Sequence, residues 1–110
     1  PLMHQGQIDG SVVMGMGCAL MEDLIIADGK VATVNFGEYK IPTIRDLPEL
    51  KTSIMESPTG NGPYRSMSIG ETPLIPLASA IGNAVGDALG ERVNSLPISP
   101  EKVLAVLRRC

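Results

Sequence analysis

The segment ETPLIPLASAIGNAVGDALG, residues 71–90, carries the clearest helical pattern in the chain. Thr72 suits an N-cap and Pro73 the first helical position. Pro76 falls in the first turn, where a missing N–H is expected to cost nothing. Leu74, Leu77, Ala78, Ile81, Val85, Ala88 and Leu89 then recur as one apolar stripe, and Gly90 suits the left-handed residue that ends a helix. The pattern predicts a helix from about Pro73 to Leu89.

Working outward, Ser99-Pro100-Glu101 is a second helix start, with Val103, Leu104, Val106 and Leu107 as the apolar face that follows. Arg108 and Arg109 suit its C-terminal end. Upstream, Ile8, Val12, Val13, Met16, Ala19, Leu20 and Leu24 are spaced as on a helix from about Ile8 to Asp23, with Asp9 near its start. Gly15 and Gly17 inside it admit a closely approaching neighbour, either backbone or a flat ligand. Between these helices, Leu24-Ile25-Ile26 and Val31-Ala32-Thr33-Val34 flank Asp28-Gly29, the pattern of a hairpin or meander. Leu50 to Met55 alternates as a strand does. Ser57 to Gly70 is a long Gly/Pro loop leading into Glu71. The class is α/β (α+β): about three helices packed on a small, incomplete sheet, as a single partial domain over 1–110.

Composition narrows the function classes. The 110 residues are 44% hydrophobic and 19% charged, which fits a folded chain. Aromatic residues are only 3%, so the core is aliphatic. A net charge of -3 without basic clusters predicts no nucleic-acid partner. No apolar run is long enough for a membrane span. The start at Pro1, without a signal-peptide pattern, predicts an internal segment of something larger. The two cysteines, Cys18 and Cys110, make no disulfide framework or metal spacing, so the expected setting is reducing and cytoplasmic. Cys18 falls on the apolar side of the first helix and is expected to be buried, and Met14, Met16 and Met21 are expected to fill core.

Glu71 is the foremost chemical candidate. It leaves a long loop just before an apolar helix, where a carboxylate either serves as a general base or simply favours the helix N-terminus. The glycines at 6, 10, 15 and 17 do not complete a dinucleotide fingerprint, and Thr59-Gly60-Asn61-Gly62 is not a phosphate loop. His4 has no convergent partners, so no metal ligand is expected from this chain.

Gly6-Gln7-Ile8-Asp9-Gly10 through Gly15-Met16-Gly17-Cys18-Ala19-Leu20 resembles the molybdenum hydroxylases of the xanthine dehydrogenase and aldehyde oxidase family. The similar region is the C-terminal part of their large, molybdopterin-binding subunit. Three further blocks follow in order. Glu38-Tyr39-Lys40-Ile41-Pro42-Thr43 with Asp46-Leu47-Pro48 resembles the family's DYKIPT…D-P segment, and Ser68-Ile69-Gly70-Glu71-Thr72-Pro73-Leu74 its GVGEPPL segment. Leu96-Pro97-Ile98-Ser99-Pro100-Glu101-Lys102-Val103-Leu104 resembles its ending.

The resemblance implies that Glu71 is the base that takes a proton from a hydroxyl ligand of molybdenum, so that the oxygen attacks an electron-poor substrate carbon. Gln7 falls on the residue that contacts the pterin, with Gly6, Gly10 and Gly70 allowing close approach to the cofactor. The implied cofactor is molybdopterin, with the cytosine dinucleotide the expected form. Iron–sulfur clusters and FAD are expected on partner chains or domains, and an aldehyde, a purine or another N-heterocycle is the implied small-molecule substrate. Other cofactor contacts of the family lie in segments absent here, so the remainder of the large subunit is an implied partner, and the glycine-bearing first helix is expected to pack on it. Two positions depart from the family pattern: Met67 stands where a lysine is usual and Met14 where a glutamine is. The alternative is a non-catalytic fragment or assembly module that completes a larger molybdopterin-binding subunit.

Overall fold

The computed structural model describes residues 1–109. Three helices and one two-stranded antiparallel sheet follow in the order α1 (Leu2–Leu20), β1 (Ile26–Ala27), β2 (Lys30–Val31), α2 (Leu77–Leu89) and α3 (Pro100–Leu107). A short 3₁₀ turn, Pro63–Arg65, lies in the long loop before α2. The expected class therefore holds.

α1 starts six residues earlier than its apolar pattern suggests, at Leu2 rather than Ile8. Asp9 does not sit near the helix start. It lies mid-helix, and its carboxylate accepts the Thr52 hydroxyl hydrogen bond, an outlet that removes its competition with the backbone. The helix ends where the amides of Met21 and Glu22 both turn to the Gly17 carbonyl, at 2.9 and 2.8 Å.

The hairpin is where Asp28-Gly29 predicts it, though shorter. Ile26 pairs with Val31 and Ala27 with Lys30. Asp28 and Gly29 take positive φ, 50° and 74°, as a two-residue turn matched to strand twist requires. Leu50 to Met55 forms no strand among the described residues. Alternation had marked it, but no second edge pairs with it; it is tied instead through Thr52 to Asp9.

α2 begins at Leu77, not Pro73. Counting from a cap at Thr72, the first α-helical hydrogen bond would run from the amide of residue 76 to the Thr72 carbonyl. Residue 76 is a proline and has no such amide. The chain instead takes two turns, Leu74 N–H to Glu71 C=O (3.0 Å) and Leu77 N–H to Leu74 C=O (3.2 Å). The first α-helical bond then runs from Ala80 N–H to Pro76 C=O, at 2.9 Å. Gly90 closes the helix at φ 72°.

α3 follows its sequence signals. Ser99 Oγ accepts from the Lys102 amide and Pro100 opens the helix. The Ser99 hydroxyl also hydrogen-bonds Glu101 and holds its carboxyl below the usual range. The α3 region docks on the end of α1 through Ile98 N–H to Ala19 C=O, at 2.7 Å. Lys102 Nζ donates to the carbonyls of Leu96 and Pro97 and closes the approach to α3.

The packing between α1 and α2 is carried by small residues. Ser11, Gly15 and Ala19, four residues apart, are buried, while Met14 and Cys18 are exposed. Exposure of Cys18 corrects its expected place in the core, and Met14 is not core filler. A methyl on Gly15 would meet Leu77 Cδ2 at 2.7 Å, and one on Gly17 would meet Pro42 Cδ at 2.8 Å. The close neighbours at these glycines are therefore not a backbone or a flat ligand but side chains of this chain, Leu77 and Leu74 at Gly15 and Glu22 and Pro42 at Gly17. Cys110 lies outside the described residues.

The chain is open rather than compact. Its radius of gyration is 17.3 Å, whereas a compact chain of this length has about 13 Å. Its accessible surface is 8591 Å², against about 5,800 Å² for a folded monomer of this mass. Among the described residues the buried apolar side chains are Ala19, Pro97, Ile98 and Val106, while Phe36, Ile44, Met55 and Met67 lie largely exposed. So small a core does not offset the entropy of ordering the chain. In a urea titration followed by circular dichroism, the isolated chain is expected to lose its helicity gradually from the lowest concentrations. A steep, cooperative transition at several molar urea would refute this expectation.

Candidate active site

The long loop is curled before it reaches Glu71. Tyr64 and Arg65 both take positive φ, 54° and 60°. A side chain on Gly60 would run into the Arg65 carbonyl, so this turn needs a glycine there. The chain then passes Ser68 and Ile69 to reach α1.

At Gly70 the loop meets α1. Ser11 Oγ donates a 2.7 Å hydrogen bond to the Gly70 carbonyl, joining positions 59 residues apart. Gln7 lies one helical turn before Ser11, and its Oε1 is 4.0 Å from where a Gly70 Cβ would sit. Glu71 is exposed beside this junction, and its own carbonyl accepts the Leu74 amide. Gln7, Gly70 and Glu71, singled out separately in the sequence, are therefore neighbours.

Gly6 and Gly10 lie on the same half of α1. A Cβ at either would have nothing within 4 Å, and both are exposed. This half of the helix is open for a flat, polar molecule to lie against it. The Gln7 amide supplies both donors and an acceptor to such a group, which fits a pterin. Among the described residues no three His, Cys, Asp or Glu side chains converge. Two open grooves lie beside α2, lined by Gly82, Asn83 and Gly86 of the helix and by Arg92 beyond its end.

The block from Tyr39 to Pro48 is a strap holding the far end of α1. Tyr39 OH donates to Glu22 Oε2 at 2.6 Å. That bond, reinforced by the nearby carboxylate charge, raises the phenol's pKa above its ordinary value. Pro42 lies against Gly17. The backbone amide and hydroxyl of Thr43 both donate to Asp46 Oδ2, at 2.7 Å each, and keep that carboxyl below the usual range.

Ser11 is the site-proximal residue that the sequence pattern passed over. A lone serine in an apolar helix looks like a neutral substitution. The signal is its position one turn after Gln7, on the buried stripe of small residues Ser11, Gly15 and Ala19.

Comparison with known proteins gives this geometry a family. Residues 1–48 match the model of a molybdopterin cofactor-binding domain. The chain is 42% identical over 105 residues to the xanthine dehydrogenase molybdenum-binding subunit of Escherichia coli O157:H7, covering 94% of this chain and 14% of that protein. The chain is similar to one segment of the molybdenum-binding subunits of molybdenum hydroxylases.

A second relative, the aldehyde oxidoreductase molybdenum-binding subunit PaoC of Escherichia coli K12, is 33% identical over 107 residues, covering 94% of this chain and 15% of PaoC. The crystal structure of quinoline 2-oxidoreductase from Pseudomonas putida 86 superposes with a TM-score of 0.85 at 27% identity, covering 98% of this chain and 14% of that one. The chain thus spans about one seventh of the length of these relatives. No helix among the described residues is long and apolar enough to cross a membrane.

Proposed function

We propose that this chain forms part of a molybdopterin-dependent oxidoreductase that hydroxylates an aldehyde, a purine or another N-heterocycle with oxygen derived from water. The observation that carries the reading is the meeting of Gln7, Gly70 and Glu71 at the open half of α1.

In this reading Glu71 is the general base. Its exposed carboxylate projects from a segment tied to α1, and it takes up the proton released as the oxygen becomes nucleophilic. Gln7 binds the pterin through its amide, and Gly6, Gly10 and Gly70 let the cofactor approach the backbone. When bound, the molybdenum centre supplies the Lewis acidity and accepts the electrons. The cofactor form proposed is molybdopterin cytosine dinucleotide, with iron–sulfur and FAD groups on partner chains to carry electrons away. Residues 1–110 act as a single partial domain, completed by the remainder of the large subunit. Its apolar surface covers Phe36, Ile44, Met55 and their neighbours, which lie bare in this chain.

The test is molybdenum analysis of the complex purified from its native source. About one molybdenum per chain is expected, by the one-cofactor stoichiometry of such a subunit. Gln7→Ala is expected to reduce molybdopterin occupancy about tenfold, the lower end for loss of an anchoring contact to a metal cofactor. A well-folded native complex with no molybdenum would instead favour the non-catalytic assembly module, for which the exposed Met14 and Met67 at departures from the family pattern speak.

A further inference from the structure

Ser11 is 5% exposed. A buried serine inside a helix usually returns its hydroxyl to the carbonyl one turn back on its own helix. Ser11 instead reaches out of α1 to the Gly70 carbonyl at 2.7 Å. That carbonyl and the Glu71 N–H belong to one planar peptide unit. Fixing the carbonyl fixes the plane, and the plane sets the N–Cα bond of Glu71, which leaves rotation about that bond as the backbone freedom of its side chain.

The hydroxyl is the one side-chain hydrogen bond to the Gly70–Glu71 peptide among the described residues. On the other side of Glu71, Thr72 Oγ makes a longer bond, 3.4 Å, to Ser68 C=O. Gln7 stands about 6 Å before Ser11 along the helix axis, four residues at the α-helical rise. One rigid rod thus carries both the amide facing the cofactor and the bond that aims the carboxylate.

We infer that Ser11 is a positioning residue for Glu71, holding the carboxylate at a set distance from the group that Gln7 binds. The inference rests on the reading of Glu71 as the base. Ser11 touches neither substrate nor cofactor; it acts through the Gly70 carbonyl. Without it, Gly70 is free to turn its carbonyl to water and the carboxylate samples a wider arc. Misplacement of a reacting group by fractions of an ångström lowers turnover without changing substrate affinity.

Ser11→Ala in the complete enzyme tests this, with Glu71→Gln measured beside it. Alanine is the better helix former, so α1 remains intact. The expected result is kcat lowered about tenfold, the worth of one buried hydrogen bond read as a rate, with KM and molybdenum content unchanged. Hydrogen exchange by mass spectrometry, on the subunit without substrate, is expected to quicken over residues 68–74 and not over α3. An unchanged kcat in Ser11→Ala, where Glu71→Gln is inactive, overturns the positioning role and leaves the base reading standing. A fall in kcat that follows a matching loss of molybdenum assigns Ser11 a structural role and also overturns it. Full turnover in Glu71→Gln removes the base, and the positioning role with it.

Discussion

Glu71→Gln in the complete enzyme is expected to lower kcat by about 10²- to 10⁴-fold, the span contributed by a positioned general base. KM and molybdenum content are expected to remain at the parent values. The substitution isolates proton transfer for a geometric reason. Glu71 is joined to its surroundings through its backbone: its carbonyl accepts the Leu74 amide, and the preceding carbonyl accepts the Ser11 hydroxyl. An amide of the same size disturbs neither bond. The open face of α1 proposed to hold the cofactor, with Gly6, Gln7 and Gly10, is untouched. What is lost is the carboxylate oxygen that can accept the proton, because an amide offers no basic oxygen in its place. The measurement is steady-state turnover across pH, with molybdenum quantified in the same preparations. Turnover equal to the parent enzyme would refute the base assignment. Loss of turnover together with loss of molybdenum would mean that Glu71 contributes to assembly of the site instead.

The legible parts of the fold are those whose physics is local. Ser99-Pro100-Glu101 contains its own cap and first turn, and α3 starts there. Asp28-Gly29 contains the positive-φ preference of a two-residue turn, and the hairpin forms around it. Gly90 ends α2 for the same reason. The start of α2 was also local information, in the missing amide of Pro76. The apolar stripe from Leu74 suggested a helix one turn longer than the backbone can bond.

Other features depend on what lies across the chain. Alternation at Leu50 to Met55 describes a surface that fits a sheet, but a strand also needs an edge to pair with. The large apolar residues of α1 pointed to a broad buried face there. The buried face is instead the narrow one of Ser11, Gly15 and Ala19, which leaves Met14 and Cys18 outside. Periodicity reports where apolar residues lie and not which neighbour reaches them. The candidate site divides in the same way. Gln7 and Glu71 were found through whole motifs, because nothing in their local sequence brings residues more than sixty apart together. Ser11, which makes the junction, has meaning only once Gly70 is seen above it.

That junction has a structural dependence one turn further along α1. Gly15→Val is expected to separate α1 from α2. A Cβ at this position would lie 2.7 Å from Leu77 Cδ2 and 3.0 Å from both Leu77 Cβ and Leu74 Cδ1. Such distances are far inside van der Waals contact, and a β-branched side chain has little rotamer freedom in a helix to escape them. Overpacking of this kind costs about 1–3 kcal/mol. Leu74 is three residues from Glu71 and donates its amide to the Glu71 carbonyl, so the displacement is expected to reach the site. Gly10→Ala is the matched control on the same helix, since its added methyl has nothing within 4 Å. There alanine is expected to stabilise α1, by about 0.5–1 kcal/mol from helix propensity alone. In hydrogen exchange on the apo form of the complete subunit, Gly15→Val should speed exchange in both α1 and α2, while Gly10→Ala slows it in α1. Slower exchange in α1 for both variants would mean that Leu74 and Leu77 yield to a side chain at position 15 and that the two helices do not depend on glycine for their contact.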